Sequence, residues 1–401
     1  MATWGDDAAF ERVDWAEVGR DRYRPSARVL TFAIGAIALV GAYLYNRYEA
    51  HVYLVFDWQV ETVDWIFLLG TLILLSFGVV PALQRYGATW RTLTYLLRRP
   101  STAFALLFLT ALLALGLFGP VVIERPLLRF GHAWTPPVGI VSEVSGHSCA
   151  GEQVGEPFNF KCKGTWEHPL GTSHRGHPLE FLLMTGARSA LYVIVFTAAF
   201  VVPLGIVTGV IAGLRGGLID DLLMSVVDVQ LFLPAIVVYF IAYTYFNVSL
   251  LLLLLTFGLL SWGGVARLVR SEVLQRREEG HILVARSLGA STGYLARRHL
   301  LPNVSNTIIP AAFHLLALLI LVEAGVAFLG FHDIELFSWG STIAESTNSR
   351  YTPGIYPPID VSAIDVWWAS TFPAIAIALT MLSFKLLGDG LRDALDPRMN
   401  A

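Results

Sequence analysis

The sequence predicts an all-α integral membrane protein of about eight spanning helices, on three observations. Of its 401 residues, 55% are hydrophobic and only 15% charged, against about 45–50% and about 25% in soluble domains. Several apolar segments are long enough to cross a bilayer. The arginines between those segments fall on alternate loops.

A helix rises about 1.5 Å per residue, so about 20 apolar residues cross the hydrocarbon layer. Eight segments qualify: 29–45, 65–83, 101–123, 188–213, 224–246, 249–266, 305–330 and 366–387. Each must be helical, because lipid offers the backbone no hydrogen-bonding partner. The first follows a long head of mixed charge, and no small-residue cleavage site follows Tyr45, so it reads as a span rather than a signal peptide. The fifth and sixth are separated only by a short turn near Asn247. Pro203 and Pro234 are expected to kink their spans, since each removes a hydrogen bond to the residue four back.

Orientation follows from the arginines. Arg12, Arg20, Arg22, Arg24 and Arg28 precede the first span, and Arg85, Arg91, Arg98 and Arg99 separate the second from the third. Arg215 lies between the fourth and fifth. Arg267, Arg270, Arg276, Arg277, Arg286, Arg297 and Arg298 lie between the sixth and seventh, and Arg392 and Arg398 follow the eighth. These loops share one side with both termini, and the positive-inside rule makes that side cytoplasmic. The opposite loops, 46–64, 124–187 and 331–365, are poor in Arg and Lys for their length.

The large outer loop holds both cysteines, Cys149 and Cys162, and its stretch 142–163 reads as an ordered loop or small element. An oxidising outer face permits a disulfide between them. His132, His147, His168, His174 and His177 fall in the same loop, but no pair has a zinc-site spacing, so no metal is expected. Neither a nucleophile–base constellation nor a phosphate loop is present, so the chain should bind no cofactor and hydrolyse no ATP itself. The net charge of −3 suggests no nucleic-acid partner.

The arginine-rich loop 267–303 is the most informative segment. A basic helical run, 267–277, is followed by a second, 278–288, ending at Gly289, which suits a position of positive φ. Ser291 or Thr292 can cap a third run, 293–301, which Pro302 should break. A short helix between two hinges outside the membrane could lie in a groove on another protein through Ile282, Leu283 and Leu288. Read from physics alone, a solvated basic loop is the simpler account.

Two acids lie in spans. Asp228, near the cytoplasmic end of the fifth, reads first as a group reaching the interface and second as a pore or gate residue. Glu323, inside the seventh, fits a gate and a structural hydrogen bond equally. Pro234 joins them as a gating candidate.

The run His281-Ile282-Leu283-Val284-Ala285-Arg286-Ser287-Leu288-Gly289-Ala290-Ser291, then His299-Leu300-Leu301-Pro302-Asn303, resembles the "EAA" loop of binding-protein-dependent ABC importer permeases. In that family the loop forms the coupling helix that docks on the ATPase. Leu283 stands at the family's acidic position and Val284 follows; Ala285 and Gly289 keep its letters. His168-Pro169-Leu170-Gly171-Thr172 with Gly176, and then Gly186-Ala187-Arg188, is similar to the approach to the core in C-type subunits of dipeptide, oligopeptide and nickel importers. Here Ser173 and His177-Pro178 replace family acids and an Arg-Asp pair. Glu323-Ala324-Gly325, Phe328-Leu329-Gly330 and Ser338-Trp339-Gly340 resemble the fifth family helix and its outer turn. Leu387-Gly388-Asp389-Gly390-Leu391-Arg392-Asp393-Ala394-Leu395-Asp396-Pro397-Arg398 matches the C-terminal signature.

The resemblance runs from about Ser101 to Arg398. It implies a type I ABC importer permease core with an extra N-terminal helix pair in a prokaryotic inner membrane. The organisation expected is an extension (1–100), a first family helix with the outer loop (101–187), and the core (188–401). A coupling role then falls to Ile282, Leu283, Val284, Ala285, Leu288, Gly289 and Ser291. The implied partners are a second permease subunit (a heterodimer), two ATPase subunits that use the ATP, and an extracytoplasmic solute-binding protein. Peptide is the expected substrate, with nickel or sugar as alternatives. An ion-coupled secondary transporter would need inverted repeats, and a membrane-embedded enzyme would need paired acids or a nucleophile in the spans; neither pattern is visible.

Overall fold

The computed structural model describes residues 26–50, 60–122, 129–143, 149–156, 159–246, 249–331, 337–348, 362 and 364–395. Arg12, Arg20, Arg22, Arg24, His147, Asn247 and the closing Asp396-Pro397-Arg398 lie outside them. Among the described residues the architecture is helical, with one small sheet. Among the described residues seven helical segments are long and apolar enough to span a membrane, one of them, Leu250–Arg276, with a short interruption, and the bent pair Gly217–Phe232 and Ala235–Tyr245 makes an eighth if it counts as one span.

The helices in chain order are α1 (Ala27–Tyr45), α2 (Thr62–Gln84), α3 (Tyr86–Arg98), α4 (Pro100–Val122), α5 (Leu179–Arg215), α6 (Gly217–Phe232) and α7 (Ala235–Tyr245). They continue with α8 (Leu250–Leu259), α9 (Gly263–Arg276), α10 (Gly280–Ser287), α11 (292–328), α12 (Trp339–Asn348) and α13 (Trp367–Leu395). The amphipathic α3, with Trp90 and Tyr86 exposed, was not foreseen; nor was α12.

Prolines shape three spans in one way. A helical proline lacks an N–H, and its ring clashes with the carbonyl four residues back. A widened π turn lies just ahead of each: Leu75–Val79 before Pro81, Thr197–Val201 before Pro203, and Ala296–Leu300 before Pro302. At the exits the N–H groups of Val80, Val202 and Leu301 donate five residues back, to Leu75, Thr197 and Ala296. The shifted carbonyls make room for the ring, so the helix continues. This corrects the expectation that Pro302 breaks the third loop helix: it continues into the next span as α11. Pro203 likewise sits within the 37-residue α5.

Pro234 has the opposite outcome. The residue before a proline is driven out of the α region, and Leu233 is extended at φ −76°, ψ 118°. The chain bends by 78° between α6 and α7, so the fifth predicted span is two helices rather than one. The sixth is also interrupted, at residues 260–262 between α8 and α9.

The buried core is centred on α5, which packs against α4, α9 and α11. At one end of α5 lies the sheet, order β1-β3-β2, from β1 (Val141–Ser142), β2 (Gln153–Glu156) and β3 (Asn159–Lys163), all antiparallel. Cys149 and Cys162 are disulfide-bonded beside it. The loop 277–291 lies at the other end. At about 1.5 Å per residue, 37 residues set the two ends about 55 Å apart.

The N-terminal pair is attached through α2. Gly70 lets α2 approach Val195 and Phe200 of α5 closely. α1 buries no residue and rests on α2 through Phe32–Phe77 and Tyr43–Trp65 ring contacts.

Candidate functional site

The loop at the far end of α9 forms a short helix set off by two turns. α10 ends in a Schellman arrangement: the Ala290 N–H donates to the Ala285 carbonyl at 3.1 Å, and Gly289 has φ +87°. Ser291 caps the next helix, its hydroxyl accepting from the Tyr294 N–H at 3.3 Å. Because successive residues of a helix face different ways, the residues of α10 and its C-terminal turn divide. Ile282 is 2% exposed and packs with Leu295 and Leu300 of the same chain. Leu283, Val284 and Leu288 are 50%, 59% and 83% exposed. The expectation that Ile282 anchors a partner is therefore corrected: it holds α10 onto its own bundle. Ala285 is half-buried beside it, and Ser291 is exposed.

What connects α10 to the bundle is a glycine seam. Gly205, Gly209 and Gly213 recur every fourth residue on α5 and so share one face. A Cβ on Gly205 would lie 2.9 Å from the Trp262 carbonyl oxygen, and one on Gly213 2.7 Å from a Val273 methyl. One on Gly209 would press into the Ala266 carbonyl oxygen. Small residues at this spacing let two spans meet backbone to backbone. Polar contacts close the loop end of the seam. Arg270 grips Asp220 with two bonds of 2.5 and 2.6 Å, and the Arg277 guanidinium donates to the Gly213 carbonyl at 3.0 Å.

At the sheet end, three stretches that are far apart in sequence converge. The Trp339 indole N–H donates to the Leu183 carbonyl at 3.0 Å, and Ser189 donates to the Phe337 carbonyl at 3.1 Å. Gly186 clears space for the Trp339 ring, and Gly340 sits on the Ala324 backbone. Glu323 is buried here, with Ser338 beside it. Asp228 instead pairs with Arg267 of α9, both side chains about half exposed. The two acids thus have different partners, and Pro234 sits at the α6–α7 break.

Outside the spans, Thr172 ties the sheet-end loops together. Its hydroxyl donates to the His132 carbonyl at 2.5 Å and accepts from the Thr135 N–H at 2.8 Å, and its carbonyl accepts from the Trp368 indole at 3.2 Å. Gly171 at φ +86° and Gly176 at φ +75° allow the tight turns around it. His168 and His177 are buried here, which pushes both imidazole pKa values down. His132, Glu167 and His168, not adjacent by any zinc spacing, are brought together.

The closing signature is a three-way contact. Gly388 lies against Phe313 of α11, Gly390 against Thr102 of α4 and Leu96 of α3, and Asp393 pairs with Arg99 at 2.6 Å.

A family model described as "Binding-protein-dependent transport system inner membrane component" matches residues 205–401. The dipeptide transport system permease protein DppC of Bacillus subtilis (strain 168) is 32% identical over 234 residues, 58% of this chain and 69% of the relative. The chain belongs to the binding-protein-dependent transport permease family. The oligopeptide transport system permease proteins OppC of B. subtilis and of Escherichia coli (strain K12) are 30% and 32% identical, each over 58% of this chain and 72% of theirs. The protein is thus the membrane-spanning permease component of an ABC importer.

The matched region of the permease holds α9, α10, Glu323, Trp339 and the whole C-terminal signature; α1 and α2 precede it. Two groups escaped the sequence reading. Asp64, on α2, is buried and accepts hydrogen bonds from Tyr192 and from the Glu61 N–H at 2.8 Å, with Arg188 at 3.6 Å. Its local signal is only that of a helix-start acid, the capping box with Glu61, while Arg188 and Tyr192, its partners on α5, are more than 120 residues away. The glycine seam did leave a signal, the four-residue spacing of Gly205, Gly209 and Gly213.

Proposed function

We propose that this permease is one half of the translocation path of an ATP-driven peptide importer, with α10 as its coupling helix. The substrate class rests on the relatives named for dipeptide and oligopeptide transport. A second, related permease chain pairs with it, two cytoplasmic ATPase subunits drive it, and an extracytoplasmic binding protein delivers the cargo. It is set in the cell membrane with both termini cytoplasmic, the orientation favoured by the arginine-rich loops. The chain itself performs no hydrolysis.

The observation that carries this reading is the exposed apolar trio Leu283, Val284 and Leu288 on an element held rigidly to a spanning helix. Apolar residues projecting from a basic loop invite a groove on a partner. With Leu283 at the position where the family has an acid, docking here is apolar rather than ionic. Closure of the ATPases displaces α10; α9 moves with it, and the seam passes the movement to α5. Access then alternates between the two sides.

The test is Leu288→Glu, with Leu283→Glu as a second variant. Both side chains are at least half exposed, so the variants should reach the membrane at normal levels. Co-purification of the ATPase subunits should fall by about tenfold or more, the effect of burying an unpaired charge worth over about 1.4 kcal/mol. Retention of ATPase and uptake by both variants would overturn the assignment of α10.

A further inference from the structure

Three groups at the sheet end lie together without a role in the reading above. His132 closes the 3-10 turn Phe130–His132, and Glu167 and His168 come from the turn that follows β3. His132 Nδ1 lies 3.0 Å from His168 Nε2, and Glu167 Oε1 lies 4.0 Å from the same Nε2. Their ligand atoms all fall within 4.8 Å of one another. Four ligands arranged tetrahedrally at about 2.0–2.1 Å from a zinc ion are about 3.3 Å apart. The two ring nitrogens, at 3.0 Å, are already near that value, and the exposed Glu167 carboxylate, at 4.0 Å, must move by about 0.7 Å or more to reach it.

The backbone under these groups is fixed. The His132 carbonyl accepts from the hydroxyls of Thr172 and Thr135, at 2.5 and 2.9 Å. The His168 carbonyl accepts from the Gly171 N–H at 2.9 Å. Trp134, two residues beyond His132, has φ +57°, a left-handed conformation rare outside glycine. Such conformations persist where the surroundings over-determine them, and they cluster at ligand sites. His168 is 5% exposed, and its Nδ1 has no hydrogen-bond partner among the described residues. Its ring's polar contacts, to His132 and to Glu167, both run through Nε2. Arg129 Nη1 donates to the same Glu167 Oε1 at 3.3 Å, so a metal would share that oxygen with the guanidinium or take the other carboxylate oxygen after rotation of the exposed Glu167 side chain.

We propose that His132, Glu167 and His168 bind one divalent transition-metal cation of the zinc class, which cross-links the two turns beneath the sheet. Two imidazoles and one carboxylate are borderline ligands; magnesium and calcium prefer all-oxygen shells. Three protein ligands leave a fourth position for water. The ion is a resident of the scaffold. The simple alternative is a hydrogen bond between the two rings, which leaves Glu167 outside.

The probe is zinc chloride, titrated calorimetrically into the chelator-treated full-length chain in detergent, purified on a tag without histidine. Cobalt(II) serves as a spectroscopic stand-in, since a tetrahedral site gives it an intense visible band. One equivalent should bind. His132→Asn and Glu167→Gln should each weaken binding by about 10–100-fold or more, at least the range seen when groups supporting a metal ligand are lost, and should abolish the cobalt band. His168 is buried in the scaffold and its variants can fail to fold, so the half-buried His132 carries the test. His281→Asn, at the other end of the molecule, should bind as the parent does. Absence of stoichiometric binding by the parent chain, or unchanged affinity in His132→Asn, would overturn the site in favour of the ring–ring hydrogen bond.

Discussion

Gly289 shows how much a single residue can control. Its φ of +87° is one that a side chain with a Cβ adopts at a cost, and for a β-branched residue the strain is about 1–3 kcal/mol. Among the described residues no atom lies within 4 Å of the position a Cβ would take, so that strain is conformational and not a clash. Gly289→Val should therefore reach the membrane normally yet re-aim α10 and loosen its hold on the ATPase, measured as the ATPase retained on purification. Asp64 is the contrasting case. Removing one partner of a buried ion pair costs about 3–5 kcal/mol because a charge is left alone. Arg188 is a quarter exposed, which softens that cost. Asp64→Ala should still lower the thermal midpoint of the detergent-solubilised chain by several degrees. An unchanged midpoint would show that α1 and α2 are held by apolar contact alone. The Gly289 turn was legible because glycine, the serine cap and the helical run stand next to one another in sequence. Asp64 was not, because its partners on α5 are distant and an aspartate beside a span reads equally well as a helix end.

At the scale of elements, the seam between α5 and α9 decides whether a push on α10 is felt in the membrane. Gly209 sits at its middle, where an added Cβ would meet the Ala266 carbonyl oxygen and lie 2.7 Å from the Val273-side neighbour Val269. Overpacking of this kind costs about 1–3 kcal/mol. Gly209→Ala should lower the thermal midpoint and uptake together, whereas Gly264→Ala on α9, with no atom of the described residues within 4 Å of its Cβ, should leave both unchanged. Equal behaviour of the two variants would show that the seam tolerates separation. The proline outcomes belong to this scale too. Sequence gave the same expectation for Pro203 and Pro234, a kink. The structure separates them: ahead of Pro203 the chain widens into a π turn and keeps its helix, while Leu233 ahead of Pro234 goes extended. That choice depends on what each turn packs against, which apolar periodicity does not encode. The three-stranded sheet was likewise hidden, since strands of two to five residues carry too little alternation to read.

On the scale of the whole molecule, the account has two working ends about 55 Å apart, joined by α5. The sheet end gathers the Thr172 knot, Trp339 and Trp368; the other end carries α10. The fold class was legible because a bilayer admits few backbone solutions and demands long apolar runs. The convergence of Gly186, Ala324 and Trp339 in one contact was legible only as separate motifs, because nothing in their spacing says that they touch. The central claim is that α10, and not the sheet end, meets the ATPase. The most direct measurement places a photo-crosslinking benzoyl-phenylalanine at position 288 in the assembled transporter, with position 166 as its counterpart, since Leu288 and Trp166 are equally exposed at 83%. Illumination should join position 288 to an ATPase subunit and leave position 166 without that adduct. An ATPase adduct from position 166 with none from position 288 would contradict the account.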